Sequence, residues 1–482
     1  MKNQEKIGLS IGSATGENVR NIGSFGINSC HAALWLREDL PRHFRRLREE
    51  LGMRYVRCHG IFNDQLEAVA PDGSFHFEKP LTVLERILDN GQIPFLELSG
   101  MPGALARTEE SVCHYRFRSA PPRDWRRWEE LVEQFLHVLI ERFGREELCR
   151  WYFEVWNEPD LPFWTGTQEE YFKLYDLSRA AIKRQDSRFR VGGPATSKTA
   201  WIADFCRHVS APSPEDPSPG CRCDFVSTHA YPSDIAFLDG AEGEVRLQSA
   251  DLLPRLLTRV RQTMKLLPEP VPLFLGEWNS SAGPLAFNHD ECANAAFIVK
   301  TMAELRSVCT GSLFWNGSDI YEECGFHSAP FHGGYGLLNV NGIPKASFHA
   351  FRFLRAVSGE ELSAAWSRPA KCLGALAARE QKTVRLLLWN YLDPEMENET
   401  FEIRINGLKS GAVCEQVMPE NGSAYESWLR QGAPEFASVA ELSQLESASH
   451  PRRFRYSADA GISLAPGEIA LLTFELPEMI EP

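Results

Sequence analysis

The chain has 482 residues, 43% of them hydrophobic and 24% charged. That is globular composition, too long for one ordinary core, and it favours two domains with one large. A formal charge of −14 argues against a nucleic-acid or anionic-membrane partner. The first residues contain no apolar signal core, and nowhere do 18 apolar residues run together. The expectation is a soluble, cytoplasmic protein. Its 12 cysteines are scattered and read as reduced, buried thiols rather than metal ligands. No metal and no cofactor are expected.

Strands and helices alternate along the first three quarters of the chain. Strands are predicted at 22–28, 54–59, 92–98, 151–156, 189–192, 224–229, 271–277 and 311–315. Helices are predicted at 38–51, 81–90, 125–143, 168–184, 200–209, 250–267, 290–308 and 345–357. The helix at 125–143 carries the clearest stripe, with Trp128, Leu131, Val132, Phe135, Val138 and Leu139 on one face. Eight successive βα units imply a closed (β/α)₈ barrel over about residues 15–357. Two long stretches, 100–123 and 316–344, follow the third and eighth strands. From residue 358 to 482 the texture changes to short β-like runs at 383–390, 400–405, 412–417, 454–457 and 468–474, which read as an antiparallel β-sandwich. The first 14 residues include a run at 6–11 that could add a strand to it.

In such a barrel the site lies at the C-terminal ends of the strands. The stretch WYFEVWNEPD (151–160) is a buried strand that stops at Asn157-Glu158-Pro159. The stretch FLGEWN (274–279) is a second, ending in Glu277. Strands four and seven lie across the barrel from one another, so Glu158 and Glu277 can face each other over a ligand. Hydrolysis of a glycosidic bond with retention needs such a pair about 5 Å apart. Asn157 is placed to meet a sugar 2-hydroxyl. His229 and Tyr231, at the sixth strand end, are placed to orient the nucleophile, although a lone His229 also reads as core. Trp315 reads equally as barrel core or as a flat wall for a sugar face. Glu154, deeper in strand four, reads as structural, and the HGG at 332–334 as a tight loop that needs glycine. Asp160 and Asp319 read as turn or cap residues.

The stretches FEVWNEPD (153–160), FLGEWNSS (274–281), RYVRCHGIFND (54–64) and PFHGGYGLLNVNGIPKASFHAFRFL (330–354) resemble glycoside hydrolase family 39, the β-xylosidase and α-L-iduronidase family. The resemblance covers most of the chain. It implies a retaining exo-glycosidase that removes terminal β-D-xylosyl residues from xylo-oligosaccharides. Glu158 would be the acid/base and Glu277 the nucleophile. His59, Asn157, His229, Tyr231 and Trp315 would line the sugar pocket, and Glu322 or Glu323 would touch sugar hydroxyls. Other specificities remain open within the resemblance: arabinosidase, β-glucosidase, β-galactosidase or α-L-iduronidase. An iduronidase must hold a sugar carboxylate, and no basic residue stands out at the strand ends near Glu277 or Trp315. An inactive carbohydrate-binding protein is the distant alternative, and a homo-oligomer is left open.

Overall fold

The computed structural model describes residues 6–233, 251–391 and 398–475. The chain opens with β1 (Ile7–Asn18) and then builds the barrel from β2 (Gly26–His31), β3 (Tyr55–His59), β4 (Ile93–Leu98), β5 (Tyr152–Val155), β6 (Arg190–Thr196), β7 (Phe225–His229), β8 (Leu273–Glu277) and β9 (Gly311–Phe314). These eight strands are parallel and close in chain order, with β9 paired to β2. The outer helices are α1 (Leu40–Arg46), α2 (Glu78–Asp89), α3 (Trp125–Phe143), α4 (Gln168–Gln185), α5 (Ile202–Val209), α6 (Leu252–Thr263), α7 (Ala293–Leu305) and α8 (Ala346–Ala356). The predicted helix at 250–267 is therefore shorter, and its first residue lies outside the described residues.

The first barrel strand starts at Gly26 and not at Ile22. The Asn21 side chain explains the shift: its Oδ1 accepts from the backbone N–H of Gly23 and of Ser24, which spends those donors on a turn. Some of the outer helices begin at side-chain caps. A capping box formed by Thr167 and Glu170 starts α4, and Asp124 caps α3.

The barrel interior is layered. At the floor the rings of Phe25, Tyr55, Phe95, Tyr152, Phe225 and Phe274 pack on one another at centroid distances of 4.6–6.1 Å. One pleat higher, the period of two that placed Tyr55, Phe95 and Tyr152 inward also places Arg57, Glu97 and Glu154 inward. All three are fully buried. The next pleat carries His59 and the site itself.

The last quarter forms β10 (Glu360–Trp366), β11 (Leu373–Glu380), β12 (Thr383–Asn390), β13 (Phe401–Ile405), β14 (Val413–Val417), β15 (Arg452–Arg455), β16 (Ile462–Leu464) and β17 (Ile469–Glu475). With β1 they make one curled nine-stranded sheet in the order β15-β14-β17-β12-β11-β10-β1-β13-β16. Pairing is antiparallel except between β1 and β13. The curl encloses a second core that includes Ile7, Leu9, Leu386, Leu388, Ile403, Cys414 and Leu472. β10 and β11 were not foreseen, because ELSAAW and LGALAARE are rich in small and charged residues that carry little β signal.

Two helices inserted between β14 and β15, α9 (Ala424–Arg430) and α10 (Val439–Ala448), were also missed. The second had a legible start, the capping box of Ser438 and Glu441. They matter because Tyr425, Trp428 and Leu445 pack against Phe331 and Ile343 from the loop after β9. The second domain thus braces the longest loop at the barrel mouth.

Candidate active site

The two acids reach the mouth by different local devices. Glu158 stands just beyond β5 on backbone bent into the left-handed region at Trp156 (φ 69°) and at Glu158 itself (φ 41°). Such conformations cost about 1–3 kcal/mol each for non-glycine residues and persist only where the surroundings hold them. Here the Glu158 N–H donates to Ala195 O at 2.9 Å, and Trp156 Nε1 donates to Phe163 O at 2.9 Å. Glu277 is re-aimed by a register break in β8. Phe274 faces the aromatic floor, the pairing with β7 slips between Leu275 and Glu277, and Glu277 returns to the interior three residues after Phe274 rather than two.

The donors around the two carboxylates are opposite in kind. Glu277 Oε1 accepts from Arg57 Nη1 at 2.7 Å and lies 3.3 Å from His59 Nε2. Its Oε2 accepts from the Tyr231 hydroxyl at 3.1 Å and lies 3.6 Å from His229 Nδ1. Burial alone would raise this carboxyl, but His229, His59 and Arg57 outweigh it and hold Glu277 well below the usual carboxylate range. Glu158 has no direct contact with Arg57 or His59; its close partner is His229 Nδ1 at 2.9 Å. Burial, then the charges of Glu277 and Asp160, push its carboxyl well up. Oxygens of the two carboxylates and a nitrogen of His229 all lie within 4.8 Å of one another.

Arg57 is the residue the sequence reading missed: a basic group near Glu277, one pleat below the strand ends where none was expected. Its Nε donates to Glu154 Oε2 at 2.6 Å, its Nη2 lies 2.6 Å from Glu97 Oε2, and its Nη1 holds Glu277. It is fully buried and spent on three acids, so it offers no charge to a ligand. The signal was available: Arg57 shares a strand face with His59. Glu154 is structural, as read. Arg57 Nη2 also donates to Asn157 Oδ1 at 3.0 Å, which leaves the Asn157 amide nitrogen as its donor toward the cavity. His59 bridges Glu97 and Glu277. Burial opposes its charge, but Glu97 and Glu277 raise its pKa to about 10, so both ring nitrogens donate.

These side chains line a cavity of about 340 Å³ that contains His59, Asn157, Glu158, Tyr231, Glu277, Trp315 and Glu323. His229 sits buried beneath, between the acids. Trp315 is 2% exposed and its peptide bond to Asn316 is cis. Of the neighbouring pair, Glu323 lines the cavity, whereas Glu322 turns away to His31 Nε2 at 2.7 Å. Burial, with Glu277 and Glu158 nearby, raises Glu323 to about 8. Tyr335, unremarked in the sequence, completes the wall and donates to Ala282 O at 2.8 Å.

The loop that carries Glu323 and Tyr335 is pinned from behind. Lys345 Nζ lies 2.5 Å from Asp290, 2.6 Å from Asp319 and 2.8 Å from Gly334 O, all buried. Asp319 is thus an anchor as well as a cap, since it also accepts from Gly336 N at 2.7 Å. Asp160 likewise caps a loop, accepting from the Ser197 N–H and hydroxyl at 2.9 and 2.6 Å. Gly333 sits at φ 75° with backbone of Leu285 2.4 Å from where a Cβ would stand, so this turn admits only glycine.

A (β/α)₈ barrel with two buried, oppositely biased carboxylates at its C-terminal mouth defines the class as a barrel glycoside hydrolase. The family follows from sequence. The model of the glycosyl hydrolases family 39 matches residues 12–460, and the chain belongs to that family. It is 36% identical over 469 residues to a beta-xylosidase of Caldicellulosiruptor saccharolyticus, covering 94% of this chain and 93% of that protein. It is 31% identical to a beta-xylosidase of Geobacillus stearothermophilus, covering 95% and 94%. A monomeric beta-xylosidase from Caulobacter crescentus CB15 superposes with a TM-score of 0.82 at 30% identity, over 97% and 99% of the two chains. Among the described residues no helix is long and apolar enough to cross a membrane.

Proposed function

We propose that the protein is a retaining exo-β-D-xylosidase that releases terminal β-D-xylosyl residues from small β-xylosides, xylo-oligosaccharides among them. The observation that carries the mechanism is the pair itself: acids within 4.8 Å, one carboxyl held well below the ordinary range and the other pushed well above it. Retaining glycosidases keep their carboxyls about 5–5.5 Å apart, and inverting ones about 6.5–9.5 Å. Glu277, ionised and aimed by Arg57 and Tyr231, attacks the anomeric carbon. Glu158 donates its proton to the leaving oxygen. Once the glycosyl–Glu277 ester forms, Glu277 carries no charge and the repulsion that raised Glu158 is gone, so Glu158 becomes the base that activates water. The Asn157 amide is placed to donate to the 2-hydroxyl. Glu323, protonated below about 8, can donate as well as accept at a sugar hydroxyl.

The xylose assignment rests on the two beta-xylosidase relatives that match nearly end to end. Exo-action is read from the wall that Trp315, Glu323 and Tyr335 put on the nucleophile side of the cavity. We place the enzyme in a reducing compartment such as the cytoplasm, because cysteines spread through both cores, Cys30, Cys58, Cys206 and Cys414 among them, are buried free thiols. The test is a panel of nitrophenyl glycosides (xyloside, arabinosides, glucoside, galactoside, glucuronide), with proton NMR of the first-formed sugar. Release of β-xylose first is expected. α-Xylose first overturns retention, and a faster cut of another glycone overturns the xylose assignment.

A further inference from the structure

The cavity has two chemically distinct halves, and the barrel order separates them. Glu277, Trp315, Glu323 and Tyr335 come from β8, β9 and the loop after β9, and His59 from β3. This half is rich in hydrogen-bonding groups and holds the proposed nucleophile. The opposite half is built by the loops after β5 and β6, on the far side of Glu158. The acid must reach the glycosidic oxygen, so the group that leaves lies on this side.

Among the described residues this side presents Leu161, Pro162, Phe163 and Ala200 to the cavity. Leu161 and Ala200 are half-buried and Pro162 is exposed at the rim. Asp160 and Ser197, the polar side chains beside them, are spent on each other at 2.6 Å. Two further polar residues line the cavity here: Lys198, exposed at its edge, and Ser233, buried with its Oγ accepting from Ala282 N at 2.9 Å. A second sugar here would surrender water from several hydroxyls to a wall with few partners, which costs free energy. An apolar group would gain from the same burial.

We infer that the leaving-group subsite is built for apolar aglycones, and that the enzyme cleaves xylosides of alkyl, aryl or terpenoid-like alcohols in preference to xylobiose. This rests on the β-xylosidase reading for its glycone only. The test measures kcat/KM for methyl, ethyl, butyl, hexyl and octyl β-D-xylosides, below micelle-forming concentrations, and for xylobiose. From ethyl onward the leaving-group basicity is nearly constant, so a trend reports binding. The rate constant should climb with chain length, by at most roughly fourfold per methylene, and pass that of xylobiose. Leu161→Ser should flatten the climb and Leu161→Met, which keeps the apolar area, should preserve it. A flat series, xylobiose ahead of the octyl xyloside, or a slope indifferent to Leu161→Ser overturns the inference. If no β-xyloside is cleaved, the glycone reading fails by itself, and the same alkyl series on the glycone that is cleaved decides the aglycone question.

Discussion

Arg57 Nη1 donates to Glu277 Oε1 at 2.7 Å, and the same guanidinium holds Glu97 and Glu154 below it. With His229 and His59, a buried cation from the second barrel strand therefore holds the charge of the proposed nucleophile. Removing one partner of a buried ion network leaves the others uncompensated, at about 3–5 kcal/mol. Arg57→Met should lower stability by that order and raise the pKa of Glu277. Arg57→Lys keeps the charge but cannot span three acids with a planar fork. It should fold better than the Met variant and still lose most of its kcat, read by denaturant unfolding and initial rates.

Glu158→Ala should separate the two chemical steps. A nitrophenyl leaving group needs little protonation, so the first step survives while the glycosyl-enzyme accumulates. A natural disaccharide should lose roughly 10²–10⁴-fold, the size of a general-acid contribution. Azide should restore nitrophenyl turnover and yield a β-glycosyl azide. Glu277→Ala should lose essentially all turnover, and azide should rescue it only with inverted configuration. Equal losses on both substrates for Glu158→Ala, without azide rescue, would exclude it as the acid/base.

The pH profile follows from the opposed shifts. The proposed mechanism needs Glu277 ionised and Glu158 protonated. Glu277 lies below the ordinary value of 4.5 and Glu158 above it, so kcat/KM should be bell-shaped with limbs on either side of 4.5. Glu158→Gln should remove the alkaline limb for nitrophenyl substrates. For stability the signs differ. The depressed carboxyl of Glu277 stabilises the fold above pH 4.5, and that contribution is lost as pH falls through its folded pKa. His59, raised from 6.5 to about 10, contributes stability fully below pH 6.5 that is lost as pH rises toward 10. The melting temperature of His59→Gln relative to wild type should therefore converge on the alkaline side.

Lys345 holds Asp290 and Asp319 where all three are fully buried. Lys345→Met should cost about 3–5 kcal/mol by stranding two acids. Adding Asp290→Asn and Asp319→Asn should return part of that stability. Because the loop carries Tyr335 and Glu323 into the cavity, KM should rise in the single variant and recover in part in the triple one. Thermal melts and steady-state kinetics on the same preparations read both effects.

The barrel and its two acids were legible in the chain alone, because both are written in local patterns. Alternating strands and striped helices report burial with periods of 2.0 and 3.6 residues, and a strand that ends in Asn157-Glu158-Pro159 or in Glu277 announces the mouth. What the pattern could not carry is anything that depends on partners distant in sequence. Arg57 reads as one charged residue in an apolar strand until closure of the barrel brings Glu97, Glu154 and Glu277 to it. Glu322 and Glu323 are adjacent and chemically identical in the chain, and only the path of the braced loop sends one to His31 and the other to the cavity. β10 and β11 have weak strand composition and are held by cross-strand pairing within the curled sheet. Most decisively, Glu158 and Glu277 are the same residue type with the same intrinsic acidity. Their proposed division into acid and nucleophile rests on which charged groups the fold places within a few ångströms of each, and Coulomb energy depends on that distance and on burial, neither of which a sequence contains.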